Sequence, residues 1–150
     1  LREKLNNLNK YEHVFLNGNL ENIEEISYEI NKINPKINIH LGKYEAVNIN
    51  EFDKDCDYYV FSGIGNHETF ISMIKNYGLK IIKHIEFPDH YNYSSNDVKK
   101  ILDEAKNLNC KVITTEKDYQ RIDYSEKNNI KYIKSELKII DEEKLLKILI

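Results

Sequence analysis

The feature that most constrains the fold of this chain is a regular alternation between strand-like runs and segments of helical periodicity. The clearest strand is Asp57–Ser62 (DYYVFS), a continuous aromatic and β-branched run that leads into the glycine-containing stretch 63–66. Residues 68–77 follow with apolar side chains at helical spacing, and Gly78 stands at the position of a C-terminal cap. Such alternation is typical of right-handed βαβ units and a mostly parallel sheet.

The same pattern continues along the rest of the chain. Further strands are predicted at 13–17, 37–41, 79–87, 111–114, 130–133 and 137–140, and a further helix at 20–32. Ser94 or Ser95 is the expected N-cap of a helix whose apolar stripe reaches Leu108, and Asp141 that of a terminal helix through Ile150. Because no linker or repeat interrupts the pattern, residues 1–150 are predicted to form a single α/β domain. The expected fold is a Rossmann-like, three-layer sandwich with a mostly parallel sheet.

Composition and charge exclude several classes of protein. The 150 residues are 41% hydrophobic and 31% charged, which is ordinary for a globular domain with a full core. A net charge of −3 argues against non-specific nucleic-acid binding, which depends on a clustered basic face. No apolar run approaches the roughly 20 residues that a membrane span requires. The polar N-terminal stretch does not resemble a signal peptide.

The two cysteines and the first residue also carry information. Cys56 and Cys110 are far apart in sequence and form no CxxC motif, so two free thiols in a reducing compartment are favoured over a disulfide. The chain begins with Leu1 and not with Met, which favours a piece of a longer protein.

Three polar clusters follow predicted strands, at the ends where open α/β sheets bind their ligands. They are SGIGN (62–66), FPDHY (87–91) and TTEKD (114–118). A Gly-x-Gly turn is often only a tight strand-to-helix connection, but it also lets backbone N–H groups approach a phosphate or ribose. The Glu116-Lys117-Asp118 run also has a non-functional interpretation, because a run of charged residues is commonly only a solvated surface.

Two nucleotide-binding motifs are missing. Glu68 stands where the third glycine of a GxGxxG fingerprint belongs, which makes a dinucleotide site unlikely. The dipeptide Gly42-Lys43 is preceded by Ile37 where a P-loop has glycine, and it is followed by Tyr44 where a P-loop has Ser or Thr. The chain therefore contains no Walker A sequence.

His90 differs from the other histidines of the sequence. No pair of histidines has metal-ligand spacing together with a third ligand, so the sequence predicts no metal site, and the remaining histidines are expected to be structural or exposed. His90 follows Asp89 in a loop stiffened by Pro88, between aromatic residues. An imidazole there suits proton transfer near neutral pH, or orientation of another acid or base. Packing against Phe87 and Tyr91 to hold the loop is the structural alternative.

Six sequence segments, in this order and spacing, resemble the C-terminal half of the tetraacyldisaccharide 4′-kinase (lipid A 4′-kinase) family. The matching segments are LRE (1–3), FLNG (15–18), FSGIGNHETF (61–70), YGLKII (77–82), FPDHYNYSSND (87–97) and VITTEKDYQRI (112–122). The resemblance covers nearly the whole chain and is densest from 57 to 122.

The resemblance implies a two-domain kinase of which this chain is the C-terminal domain. In that family an N-terminal P-loop domain carries the magnesium ligands and a catalytic aspartate, and the C-terminal domain closes over ATP. The implied reaction transfers the ATP γ-phosphate to the 4′-hydroxyl of tetraacyldisaccharide 1-phosphate, in lipid A biosynthesis at the cytoplasmic face of the inner membrane. The implied cofactors are ATP and Mg²⁺, and the partners are the P-loop domain, the lipid substrate and the membrane surface. Alone, the chain is expected to be inactive.

The resemblance also assigns site residues. His90 matches the family histidine that pairs with the catalytic aspartate of the other domain. Residues expected to face substrate or nucleotide are Gly63, Gly65, Asn66, Asp89, Glu116, Lys117 and Asp118. Tyr91 and His67 depart from the family pattern, which commonly has histidine and proline at these places. The alternative hypothesis is a free-standing, non-catalytic α/β ligand-binding module.

Overall fold

The computed structural model describes residues 4–17 and 22–149. They divide into two compact units, one comprising the chain up to Tyr44 and from Leu137 onward, the other Glu45–Glu136. The sequence predicts a single α/β domain with a mostly parallel sheet, and the described residues form a three-stranded and a four-stranded sheet. Apolar periodicity identifies strands but does not indicate which strands pair. It therefore could not predict that the strands divide between two sheets.

The helices and strands follow the predicted order, with one additional short helix. They are β1 (His13–Asn17), α1 (Ile23–Ile33), β2 (Asn38–Ala46), β3 (Asp57–Ser62), α2 (His67–Asn76), β4 (Lys80–Glu86), α3 (Ser95–Asn107), β5 (Lys111–Thr115), α4 (Glu116–Gln120), β6 (Ile130–Ile133), β7 (Ser135–Ile139) and α5 (Glu142–Leu149). The sequence analysis missed α4 and three 3-10 helices at Leu5–Lys10, Ile49–Glu51 and Tyr124–Asn129. Leu20 and Ile150, the expected ends of two helices, lie outside the described residues.

The second unit is built on a parallel sheet with the strand order β4-β3-β5-β6. The register pairs Ser62 with Glu86 and Thr115 with Ile133, so the carboxyl ends of the strands lie along one edge. β3 is central and is buried at five of its six positions. A strand with helices on both faces needs a continuous apolar run and not an alternating one, which explains the sequence of β3.

Two separate cores lie on the two faces of this sheet. On one face Tyr58 and Val60 pack with Ile71 and Ile74 of α2. On the other face Tyr59 and Phe61 pack with residues of α3, namely Val98, Ile101 and Ala105. Burying one large apolar side chain contributes about 1.5–3 kcal/mol, so both helices are held mainly by these contacts. The predicted three-layer α/β sandwich with a mostly parallel sheet is confirmed in this unit.

Local capping signals explain where the helices of the second unit begin and end. Ser94 forms a capping box with Asp97: its hydroxyl accepts the Asp97 N–H, and the Asp97 carboxylate accepts the Ser94 N–H. The Asn66 side chain accepts the N–H of Thr69 at the start of α2. Gly78 follows α2 with φ of 82°, a left-handed conformation that glycine adopts without steric cost.

The first unit contains β1, β2 and β7, in the order β1-β2-β7. β1 and β2 are parallel, with His13 opposite Asn38. Within β2, a Cβ on Gly42 would lie 2.6 Å from the ring of Phe15, so the glycine of the Gly42-Lys43 dipeptide is required by close packing in a strand. No helix within residues 4–17 and 22–149 has both the length and the apolar character that a bilayer crossing demands.

Candidate functional site

Three loops meet at the carboxyl edge of the four-stranded sheet, after β3, β4 and β5. The N–H of Gly63, in the first loop, donates to the Asp118 carboxylate of the third at 3.0 Å. The N–H of His90, in the second loop, donates to the carbonyl oxygen of Gly63 at 3.1 Å. Two hydrogen bonds therefore link the three polar clusters through one glycine, and we call this assembly the rim.

Asp118 is the buried anchor of the rim. Its side chain is fully buried, and its carboxylate accepts hydrogen bonds from Gly63 N–H, from the Thr115 hydroxyl at 2.7 Å and from Arg121 Nη1 at 3.3 Å. The Thr115 hydroxyl in turn accepts the N–H of Asp118 at 3.1 Å and caps the short helix α4. A buried carboxylate with this many donors holds the surrounding segments in one geometry.

Four aromatic rings support the second loop. Phe61, Phe87, Tyr91 and Tyr93 form edge-to-face and tilted contacts with centroid separations from 4.7 to 6.3 Å. A Cβ on Gly63 would meet both the Pro88 carbonyl oxygen and the Tyr93 hydroxyl at 3.0 Å, so a side chain there would require this loop to move by a few tenths of an ångström. Burial raises the pKa of Tyr93, and the nearby Asp118 carboxylate adds to the rise. The aromatic run around His90 thus has a packing role.

His90 itself stands outside the aromatic cluster. Its side chain is 79% exposed, and its backbone has φ of 61°, in the left-handed region. That conformation costs a non-glycine residue roughly 1–2 kcal/mol. Since an exposed imidazole contributes little packing in return, the strain points to a functional reason for the loop geometry. Packing against Phe87 and Tyr91 does not describe this side chain.

Arg121 determines which nitrogen of His90 carries the proton. Arg121 Nη2 donates to His90 Nδ1 at 2.9 Å, while Nη1 donates to Asp118. A guanidinium has no acceptor, so Nδ1 must be unprotonated and the neutral imidazole carries its hydrogen on Nε2. Nε2 lies 3.7 Å from Asp89 Oδ2 and is accessible from solvent. The arrangement offers one oriented N–H donor to a group outside the chain.

The structure places the expected site residues at the same edge but in different roles. Asp89 lies beside Gly65, with its Oδ2 atom 3.6 Å from where a Cβ of that glycine would stand. Asn66 uses its side chain as a helix cap. Glu116 is half-buried and Lys117 exposed, both in the first turn of α4. Contacts therefore join Gly63, Gly65, Asp89, His90 and Asp118, whereas Asn66 caps α2 and Glu116 and Lys117 begin α4.

Arg121 was missed by the sequence analysis. It lies 31 residues from His90, and no spacing rule connects the two side chains. Its position three residues after Asp118 is a weak signal, because residues at i and i+3 of a helical turn face one another. That spacing indicates the Asp118 contact but not the one to His90.

A second histidine near the rim, His67, lies close to His84 and Glu68. The spacing of these residues in the sequence did not indicate this cluster. His67 Nε2 is 2.9 Å from His84 Nδ1, and the carboxylate of Glu68 completes a group whose ligand atoms all lie within 4.8 Å of one another. The sequence analysis predicted no metal site because the two histidines are 17 residues apart in the chain. The parallel pairing of β3 and β4 brings the start of α2 next to β4.

Comparison with known proteins identifies the family. The family model described as tetraacyldisaccharide-1-P 4′-kinase matches residues 1–150. A tetraacyldisaccharide 4′-kinase of Pelagibacter ubique is 56% identical over 145 residues, which are 97% of this chain and 46% of the relative. One of Rickettsia canadensis is 42% identical over 111 residues, which are 73% of this chain and 33% of the relative.

A crystal structure of LpxK from Aquifex aeolicus in complex with ATP has the same fold. The TM-score is 0.52 at 24% sequence identity, over 99% of this chain and 45% of that one. The chain thus spans less than half the length of these relatives. Together with the family match along all 150 residues, this similarity leads to one conclusion: the chain belongs to the tetraacyldisaccharide-1-P 4′-kinase family.

Proposed function

We propose that this chain is the nucleotide-closing, C-terminal domain of a kinase that transfers the ATP γ-phosphate to the 4′-hydroxyl of tetraacyldisaccharide 1-phosphate. An N-terminal P-loop domain would supply the Walker lysine, most contacts to ATP and Mg²⁺, and the catalytic carboxylate. The family match and the coverage of less than half of each relative support this division. The enzyme would act at the cytoplasmic face of the inner membrane as a peripheral protein, in lipid A biosynthesis.

The observation that carries the proposal is His90, exposed on a strained loop and oriented by Arg121. A sugar hydroxyl is a poor nucleophile, and phosphoryl transfer depends on positioning and charge stabilisation. The Nε2–H of His90 would donate to the catalytic carboxylate of the P-loop domain and fix its direction toward the hydroxyl. Because the histidine and the carboxylate lie on different domains, the pair would form only when the domains close over ATP.

The other rim residues would serve nucleotide and substrate in two ways. The loop of Gly63, Gly65 and Asn66 would bring backbone N–H groups close to ATP, since no Cβ blocks its approach at the glycines. Asp89, Glu116 and Lys117 would present charged side chains to the closed cleft. Asp118 is fully buried, so its contribution would be to position this loop and Arg121.

The test is a chimera in which this chain replaces the matched segment of the Pelagibacter ubique relative. We expect it to phosphorylate tetraacyldisaccharide 1-phosphate with ATP and Mg²⁺. His90→Ala in the chimera should lower kcat and kcat/KM together, because an orienting imidazole acts in the transition state. The fall should be about 10²-fold, at the lower end for acid–base groups. Asn92→Ala, an exposed change in the same loop, is the matched control and should leave kcat within about twofold.

Two results would contradict the proposal. An active chimera whose His90→Ala variant keeps its kcat but melts at a lower temperature would make His90 a structural residue. A folded chimera without kinase activity would favour the non-catalytic ligand-binding module. The 150-residue chain alone should neither hydrolyse ATP nor phosphorylate the lipid, since its sequence has no GxxxxGK[ST] element to offset phosphate charge.

A further inference from the structure

His67, Glu68 and His84 form a cluster whose geometry the proposed kinase chemistry does not use. His67 is the first residue of α2, and His84 lies in β4. Their rings are stacked with centroids 5.1 Å apart, and His67 Nε2 faces His84 Nδ1 at 2.9 Å. Glu68 directs its carboxylate to the same place, so that three ligand atoms lie within 4.8 Å of one another.

We propose that these three side chains bind a divalent transition-metal ion of the Zn²⁺ class. Two imidazoles and one carboxylate form a ligand set that proteins use for zinc, with a fourth position left for water. Imidazole also selects this class of ion over Mg²⁺ and Ca²⁺, which prefer oxygen ligands. Tetrahedral zinc needs ligand atoms roughly 3.3–3.6 Å apart. His84 and Glu68 are exposed, so their side chains have room to change rotamer and approach that spacing.

The surroundings of His67 favour metal binding. The Ser62 hydroxyl lies 2.6 Å from His67 Nδ1, and both residues are buried. This contact fixes the orientation of the ring through the nitrogen that does not face His84. Such support of the non-ligating nitrogen is usual for histidine ligands.

A bound ion would connect the start of α2, immediately after the Gly63–Asn66 loop, to β4. The ion would thus sit next to the rim without using His90 or Arg121.

A second histidine pair in the chain provides an internal control. His13 Nδ1 lies 3.1 Å from His40 Nε2, a separation close to that of His67 and His84. Among residues 4–17 and 22–149, however, no carboxylate or thiol completes a three-ligand group at this pair. The buried His40 Nδ1 also has no hydrogen-bond partner within the described part of the chain, whereas His67 Nδ1 has Ser62. A histidine pair alone is expected to bind metal far more weakly than one with a carboxylate.

The experiment is calorimetric titration of the metal-free 150-residue chain with Zn²⁺, with Co²⁺ absorption as an independent readout of coordination geometry. We expect one ion per chain, a tetrahedral Co²⁺ spectrum and a higher melting temperature with Zn²⁺. His84→Ala should abolish specific binding, and Glu68→Gln should weaken it. Ser62→Ala should weaken binding about 10–100-fold, as changes behind a ligand commonly do. His13→Ala should leave the affinity unchanged.

The outcomes separate metal binding from a simple hydrogen-bonded histidine pair. Absence of saturable Zn²⁺ binding by the unaltered chain would overturn the proposal. Equal losses in His84→Ala and His13→Ala would also overturn it, because binding would then be non-specific. His84 and Glu68 are exposed, so their variants are expected to fold, and an unchanged far-ultraviolet circular dichroism spectrum checks this.

Discussion

The two ends of the four-stranded sheet use charge in opposite ways. At the carboxyl end, Asp118 is fully buried; one of its oxygens accepts the Gly63 N–H of a neighbouring loop, and the other accepts a hydrogen bond from Arg121. At the amino end, a groove of about 1020 Å³ is lined by five lysines and four carboxylates among other residues. Its ion pair Lys80–Asp57 is 2.7 Å long, yet the two side chains are 66% and 33% exposed.

The exposed charges of the groove are expected to constrain the sheet less than the buried charge of the rim. Charges in contact with water gain little from pairing, because solvent and salt screen them. A buried carboxylate with oriented donors instead fixes the positions of whole loops. Strained backbone, buried charge and an oriented imidazole coincide at the rim, whereas the Lys80–Asp57 pair of the groove is in contact with solvent. We propose that function resides at the rim, and the variants below compare the two ends.

The largest expected effect is on stability at the rim. Asp118→Ala removes the acceptor of Gly63 N–H, of the Thr115 hydroxyl and of Arg121 Nη1. We expect the free energy of unfolding to fall by about 3–5 kcal/mol, the usual cost of removing one partner from a buried charged group. Urea denaturation of the 150-residue chain measures it. Asp118→Asn keeps one acceptor oxygen and should lose less, and a loss below about 1 kcal/mol for Asp118→Ala would contradict the contrast.

Much of this fold was accessible from local sequence signals. Asp57–Ser62 and Ile130–Ile133 were predicted with the strand bounds that the structure has, because a buried run bordered by turn residues is a local property. Ser94 was one of two predicted caps, and its pairing with Asp97 places the start of α3. The division of the strands into two sheets was not accessible, because strand pairing depends on contacts between distant segments.

The candidate site likewise combines features that follow from local sequence with contacts between residues far apart in the chain. The meeting of three loops at one edge follows from the parallel strand order, since carboxyl ends of such strands lie together. The orientation of His90 by Arg121, and the approach of His67 to His84, join residues 31 and 17 positions apart. No periodicity connects such pairs, so their discovery required coordinates.

The next largest effect concerns catalysis through Arg121. In the chimera, Arg121→Ala releases His90 Nδ1 and should lower kcat about 10-fold, with KM for ATP within about twofold. Because Arg121 acts through His90, the double variant with His90→Ala should be no slower than His90→Ala alone. Steady-state kinetics of the four proteins measure this. Losses that multiply in the double variant would show that Arg121 acts separately from His90.

A smaller effect is expected at the helix cap that ends the second loop. Hydrogen bonds from the Ser94 hydroxyl and N–H hold the pKa of Asp97 below its ordinary value. A depressed carboxyl pKa contributes stability above the unfolded-state value, and the contribution is lost as pH falls through the folded-state value. Asp97→Asn should therefore lower the melting temperature at neutral pH, and its difference from the unaltered chain should shrink toward about pH 3. A difference independent of pH would show that the charge is not responsible.

The smallest effect is expected at the amino end. The Asp57 carboxylate raises the pKa of Lys80, so any contribution of this pair is fully present at neutral pH and is lost only as pH rises through the folded-state value. Both charges are nevertheless in contact with solvent, and we expect Lys80→Ala to change the melting temperature by less than about 2 °C. Adding about 1 M NaCl should abolish even that difference, because the screening length then falls to about 3 Å. In the chimera, the same variant should keep kcat within about twofold. A loss as large as that of Asp118→Ala would mean that exposed charge at the amino end constrains this sheet as strongly as buried charge at the rim.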